Sequence, residues 1–343
     1  MMKFIYSTGV GSLLLFCSTT HLHLHAIAAP PQPTSIIKYG LGVGSNLDFR
    51  PGTPLTTTAQ SLGPLSDLAG TWVGNGFVLI SLPDFSSIPP STGPAPFRLK
   101  LNRTIEILEL TPIGAEVPNR GVISALGSIT GQPDIPLYGL TYLQRISDFV
   151  TKEPLHIEPG IWIHIPPTTV FPDDPTQKVV RMATIPHGDS FLAQSLSILN
   201  MNSGPKFEVL STTPISIDGT PFPPGFLNPF ANPFLPPGIK PAYVENPNLL
   251  LQDDIAGQKI INTIALVIST NIHNAIPPVG GVLNIPFVTL NANAIQLDAI
   301  FFIETVQQPD GSTFLQLQYT QRVILNFLGI RWPHIQVATL IKQ

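Results

Sequence analysis

Hydrophobic and polar residues alternate with a period of two over most of the chain. Leu99, Leu101, Arg103, Ile105 and Ile107 alternate with Lys100, Asn102, Thr104, Glu106 and Leu108, the pattern of a strand with one face turned inward, and it predicts a strand over 97–110. Similar runs predict strands over 138–146, over 155–165 with an interruption at Pro159-Gly160, and over 178–187, 260–270 and 287–292. Three closing strands are expected over 294–307, 314–327 and 335–341. The first two are joined by Gln308-Pro309-Asp310-Gly311-Ser312, a strong hairpin turn. In the second, Leu315, Leu317, Tyr319 and Gln321 face opposite to Gln316, Gln318, Thr320 and Arg322. Residues 188–194 read as a short helical segment or a further strand. There is no internal repeat.

The first strand after a long irregular lead-in is 68–77, preceded by a short helical turn at Leu65-Ser66-Asp67-Leu68. Its glycines, Gly70, Gly74 and Gly76, bracket Trp72. They are not a phosphate loop, because no helix and no Gly-Lys-Ser/Thr follows. Glycines here let the backbone pass close to neighbouring strands, and Trp72 can plug one end of a small barrel.

Composition strengthens the all-β reading. Charged residues are 11% of the 343, against about 25% in an average domain. The 38 prolines are spread along the chain, which suits short strands and rigid loops and disfavours long helices. The net charge of -4 comes with no basic cluster, which excludes nucleic acid and an anionic membrane surface as partners. Residues 201–248 are irregular, yet Phe222, Phe226, Phe230 and Phe234 lie among the prolines of 221–241. A disordered segment would not carry so many aromatics, so this insertion is expected to pack across the domain as a lid or edge cover.

Residues 1–28 read as a secretory signal peptide: Lys3, a mostly apolar stretch over 4–17, and a small-residue cleavage site at Ala26-Ile27-Ala28. The apolar part is too short and interrupted to span a membrane. A secreted or extracytoplasmic protein follows, with 29–64 as a Pro/Thr-rich linker or arm and 65–343 as the barrel domain. Cys17, the single cysteine, and His21, His23 and His25 would leave with the signal, so no disulfide is expected. Asn102-Arg103-Thr104 is the sole N-glycosylation acceptor.

The remaining histidines are His156, His164, His187, His273 and His334. Trp162 and His164 share a strand face opposite Ile161, Ile163 and Ile165, which points an indole and an imidazole together toward a cavity. His156 and Glu158 share a face as well. His187-Gly188-Asp189-Ser190 holds base, carboxylate and hydroxyl within four residues. Triad members normally come from distant segments, and the Gly-x-Ser-x-Gly elbow is absent, so this reads as a turn. An acid/base role for His187 stays open.

These pieces resemble a calycin, the superfamily of lipocalins, fatty-acid-binding proteins and nitrobindin-like haem proteins. Gly70-Thr71-Trp72 after a helical turn carries the likeness, with an arginine of the closing strands, Arg322 or Arg331, expected to lie over the tryptophan. The blocks 155–164, 184–190 and Arg331-Trp332-Pro333-His334 resemble secreted or bacterial proteins labelled haem-binding, over roughly 62–343. The resemblance implies an antiparallel barrel of about eight strands with a Pro/Phe-rich insertion and few short helices, binding a small apolar ligand. Trp162, His164, His187 and His334 are the expected ligand-binding residues, and Gly70, Trp72 and Arg331 the structural ones. Haem is the candidate cofactor, with His334 as its iron ligand. The alternatives are an enzyme of isomerase or cyclase type, using His187 and His164 on a hydrophobic metabolite, and a structural surface protein using the Phe/Pro insertion as its contact patch.

Overall fold

The computed structural model describes residues 60–84, 97–119, 121, 134–168, 176–271 and 281–343. The signal peptide, Cys17, nearly all of the 29–64 arm and His273 lie outside the described residues. The strands are β1 (Gly70–Pro83), β2 (Phe97–Pro112), β3 (Val117–Asn119), β4 (Ile135–Asp148), β5 (Pro154–Ile165), β6 (Lys178–Ile185) and β7 (Asp189–Met201). They continue as β8 (Ile215–Ser216), β9 (Lys259–Ser269), β10 (Gly281–Asn284), β11 (Asn293–Gln307), β12 (Thr313–Phe327) and β13 (Ile330–Lys342).

Ten of these pair side by side, all antiparallel, in the order β1-β2-β4-β5-β6-β7-β9-β11-β12-β13, and β13 returns to β1. The sheet is therefore a closed ten-strand barrel, wider than the expected eight, with no free edge among these strands. Strand β5 runs unbroken through Pro159-Gly160, and residues 189–194 belong to β7. The 287–292 segment, expected as a strand, is instead the helix Pro286–Asn291, because Pro286 sits in its first turn, where a missing N–H costs nothing.

One end of the barrel is closed by the 3-10 turn Gly63–Leu68. Leu62, Leu65 and Leu68 pack there on Trp72, Leu108, Leu140 and Trp162. Trp72 Nε1 donates to the Leu68 carbonyl at 2.7 Å. The cation over its ring is Lys342, with Nζ 5.4 Å from the ring centroid and donating to the Asp67 carbonyl at 2.7 Å. Gly70, at φ +128, makes that possible, since a Cβ there would come within 2.9 Å of Lys342 Cε. Arg322 pairs instead with Asp298 at 2.8 Å, and Arg331 is exposed opposite Ile215 of β8.

The insertion covers the outside of the β2-β1-β13 wall. Its short helices α1 (Asn228–Ala231), α2 (Pro241–Glu245) and α3 (Asn248–Asp254) follow an irregular path rich in proline. Ile239, Tyr243, Val244 and Leu251 pack on the outward-facing Phe77, Leu79, Ile335 and Val337, with Leu99 and Leu101 beside them. That contact explains why both faces of these strands are apolar: one faces the interior and the other faces the insertion. In β2 it is the polar set, Thr104 and Glu106, together with Leu108 and Leu110, that is buried, while Leu99 and Leu101 lie under the insertion.

Candidate functional site

At the end opposite the 3-10 turn the barrel opens into a cavity of about 410 Å³, within the usual 300–1,000 Å³ range of small-molecule sites. Its wall is mainly apolar: Val78 and Ile80 from β1, Ile146 from β4, Phe191 from β7, Leu297 from β11, and Val323 and Leu325 from β12. Phe287 and Val288 of the Pro286–Asn291 helix stand at its rim, with Phe287 exposed. Even-numbered residues of β1 point inward, and its pairing with β2 sets Gly76 opposite Thr104 and Gly74 opposite Glu106. A Cβ on Gly76 would come within 2.8 Å of the Glu106 carboxylate. This glycine clears the space into which a buried acid projects.

Beneath the cavity lies a layer of buried polar side chains in two linked clusters. In the first, Glu106 accepts hydrogen bonds from the Tyr319 hydroxyl at 2.5 Å, from Gln336 Nε2 and Thr104 Oγ1 at 3.1 Å, and from Gln144 Nε2 at 3.3 Å. Gln144 and Gln336 also donate to the Tyr319 oxygen. Burial pushes the Glu106 carboxyl above its ordinary range, and these hydrogen bonds oppose the shift.

In the second cluster, Arg181 donates from Nη2 to Glu158 Oε1 at 2.5 Å, from Nη1 to Gln321 Oε1 at 2.6 Å, and from Nε to the Tyr142 hydroxyl at 3.0 Å. That hydroxyl in turn donates to Glu158. The guanidinium lies 5.0 to 5.7 Å from the ring centroids of Phe301, Phe191, Tyr142 and Trp162, a cation–π enclosure suited to a desolvated arginine. Burial alone would raise the Glu158 carboxyl. The Arg181 charge, His156 and the Tyr142 hydrogen bond together outweigh it and hold the carboxyl at about 2. Arg181 is likewise held above its ordinary range, because Glu158, Tyr142 and Tyr319 together outweigh the cost of burial.

Three histidines line the cavity: His156, His187 and His334. His156 Nε2 lies 3.2 Å from Glu158 Oε2, and its ring centroid is 5.6 Å from that of His187. His187, exposed at the rim, is lowered by desolvation and by His156, against the pull of Asp189. Asp189 is raised by burial, and its Oδ1 is buried without a hydrogen-bond partner among the described residues. His334 is held well below the usual imidazole range by burial and by its two histidine neighbours. At neutral pH it is an uncharged imidazole, and it makes no hydrogen bond among the described residues.

Of the residues singled out from sequence, His187 and His334 line the cavity and Trp162 and His164 do not. Trp162 faces inward but packs edge-on against Phe301, with ring centroids 5.1 Å apart. His164 is buried at the closed end, with Nδ1 2.7 Å from the Ser61 carbonyl and Nε2 3.2 Å from Gln177 Oε1. Asn102, at the cavity wall, donates to Asp148 at 2.6 Å. The polar floor was not anticipated. Its sequence signals are a lone arginine in the apolar run 179–185 and an acid at an alternating position of β2. Among the described residues no group of three or more His, Cys, Asp or Glu is placed to hold a metal ion. No helix among them is long and apolar enough to cross a membrane.

No protein-family model matches the chain, and no curated protein matches it. Among solved structures, the crystal structure of Rv2717c from M. tuberculosis is similar at 15% identity, over 83% of this chain and 97% of that one, with a TM-score of 0.35. A likeness of that size supports nothing about function. The barrel itself stands on the strand pairings described above.

Proposed function

We propose that this is a secreted, calycin-like barrel that binds a small, largely apolar ligand in the open end. The observation that carries the reading is the cavity of about 410 Å³, apolar in its walls and closed below by polar groups that hydrogen-bond to one another within the protein. A barrel whose own side chains do not fill one end leaves such a space. The test is displacement of N-phenyl-1-naphthylamine, whose emission rises in apolar surroundings. Native protein should bind the dye, and Val323→Trp, which fills the cavity, should lose it. Equal binding by both proteins would refute the site.

Haem is one such ligand. The donor chemistry fits axial ligation in that His334 is a neutral imidazole at the cavity wall without a competing hydrogen bond among the described residues. His334 would hold the iron, and the group would supply a metal centre for a further small ligand. Protein from haem-supplemented culture should then show a Soret band that His334→Ala removes. No band in either sample would restrict the site to metal-free ligands.

A second reading, acid/base catalysis on a hydrophobic metabolite, rests on Asp189. Its Oδ1, without a hydrogen-bond partner among the described residues, lies at the cavity, and His187 acts on the carboxyl electrostatically. Under it, His187→Ala abolishes turnover while ligand affinity is kept. Unchanged turnover would exclude that residue.

A further inference from the structure

Two glutamines at the cavity floor have their amide orientations dictated by the network behind them. Gln321 of β12 and Gln336 of β13 are direct cross-strand partners, so their side chains start about 5 Å apart on the same inward face. Both are buried to within a few per cent, and both line the cavity. Arg181 Nη1, which can only donate, lies 2.6 Å from the Gln321 side chain. The atom facing it must be the carbonyl Oε1, which leaves the Gln321 amide N–H groups turned away from the network.

At Gln336 the logic is reversed. The Tyr319 hydroxyl donates its one proton to Glu106, so both groups present acceptor lone pairs to Gln336, as they do to Gln144. Nε2 supplies one N–H to each, and Oε1 is left over. Neither Gln321 Nε2 nor Gln336 Oε1 has a partner among the described residues, and neither is sealed from the cavity.

We propose that Gln321 Nε2 and Gln336 Oε1 form a donor–acceptor pair that selects ligands whose head group offers an acceptor and a donor side by side. The class is a primary amide, a lactam or an un-ionised carboxylic acid on an apolar body. Such a head group takes the Gln321 N–H on its carbonyl and gives its own N–H or O–H to Gln336. An ionised carboxylate is disfavoured. The Arg181 charge is already matched by Glu158, and Glu106 stands directly behind Gln336. The inference rests on the cavity being the binding site and adds to it the chemistry of what is held.

The test compares decanamide with two probes of like length that keep the acceptor and lack the donor, N,N-dimethyldecanamide and methyl decanoate. Each competes against N-phenyl-1-naphthylamine on the full native protein. The pair predicts that decanamide binds at least about tenfold more tightly than either, the consequence of leaving Gln336 Oε1 unpaired against the ester or tertiary amide. Gln336→Met should erase that preference while dye binding survives. The native-protein comparison needs no variant, so a poorly folding Gln336→Met leaves the prediction exposed. Equal affinity for the three probes, with all of them lost in Val323→Trp, would overturn the pair and keep the cavity. Binding that is indifferent to Val323→Trp would overturn both.

Discussion

Glu304 offers a sharp quantitative test of how the insertion is seated on the barrel. It projects outward from β11, fully buried, where Gln316 Nε2 donates to its Oε2 at 2.6 Å and its Oε1 has no partner among the described residues. Gln316 in turn accepts from Gln258, at the end of the insertion. Burial, opposed only by the Gln316 hydrogen bond, raises the Glu304 carboxyl from 4.5 to about 7. A folded-state value above the unfolded one means that the native state binds the extra proton between those limits. The contribution of this group to stability is therefore most favourable below pH 4.5, falls as pH rises, and carries its full penalty above pH 7. At 1.36 kcal/mol per pH unit the penalty is about 3 kcal/mol. Glu304→Gln retains an acceptor for Gln316 and removes the charge. Urea unfolding followed by circular dichroism should show the variant more stable than native protein by up to about 3 kcal/mol at pH 8, with little difference at pH 4. The same difference at both pH values, or a less stable variant at pH 8, would refute the reasoning.

Other substitutions probe the interior and the closed end. Arg181→Met leaves Glu158 buried without its counter-charge and should cost about 3–5 kcal/mol in urea unfolding, part of which Glu158→Gln restores in the double variant. A full additive loss in the double variant would show that the two do not act as a pair. Lys342→Met removes the cation over Trp72 and should lower stability by about 1 kcal/mol, whereas Arg331→Met should change it little. Leu251→Ala, under the insertion, should cost about 2–5 kcal/mol and expose residues 202–258 to protease before the barrel strands are cut. Cleavage in the barrel first would contradict the covering role.

The barrel was legible because period-two alternation and a Pro-Asp-Gly hairpin are local properties. Gln308 N–H bonds the Ser312 carbonyl as that turn requires. Alternation could not say which face of β2 is inside, because the insertion buries the other face as well. Leu99 and Leu101 therefore looked like core, and Glu106 like surface. The helix at Pro286–Asn291 was misread because Phe, Val and Leu in a six-residue run suit either element, and its proline decides only through position. His187 was singled out by its His-Gly-Asp-Ser run and His334 by the family resemblance. Their floor was not, because Gln144 meets Tyr319 from 175 residues away and such meetings depend on register, which no local pattern encodes. The cation over Trp72 was expected in type but not in position, since Lys342 lies at the chain's end and reaches back to the 3-10 turn.

The most direct test of the central claim follows the histidine ring protons by NMR, assigned through single His→Gln variants, while the protein is titrated with decanamide. A ligand in the cavity should move the signals of His334 and His187, which line it, and leave that of His164, sealed at the closed end. Shifts at His164 with His334 and His187 unmoved would place the ligand elsewhere and contradict the account.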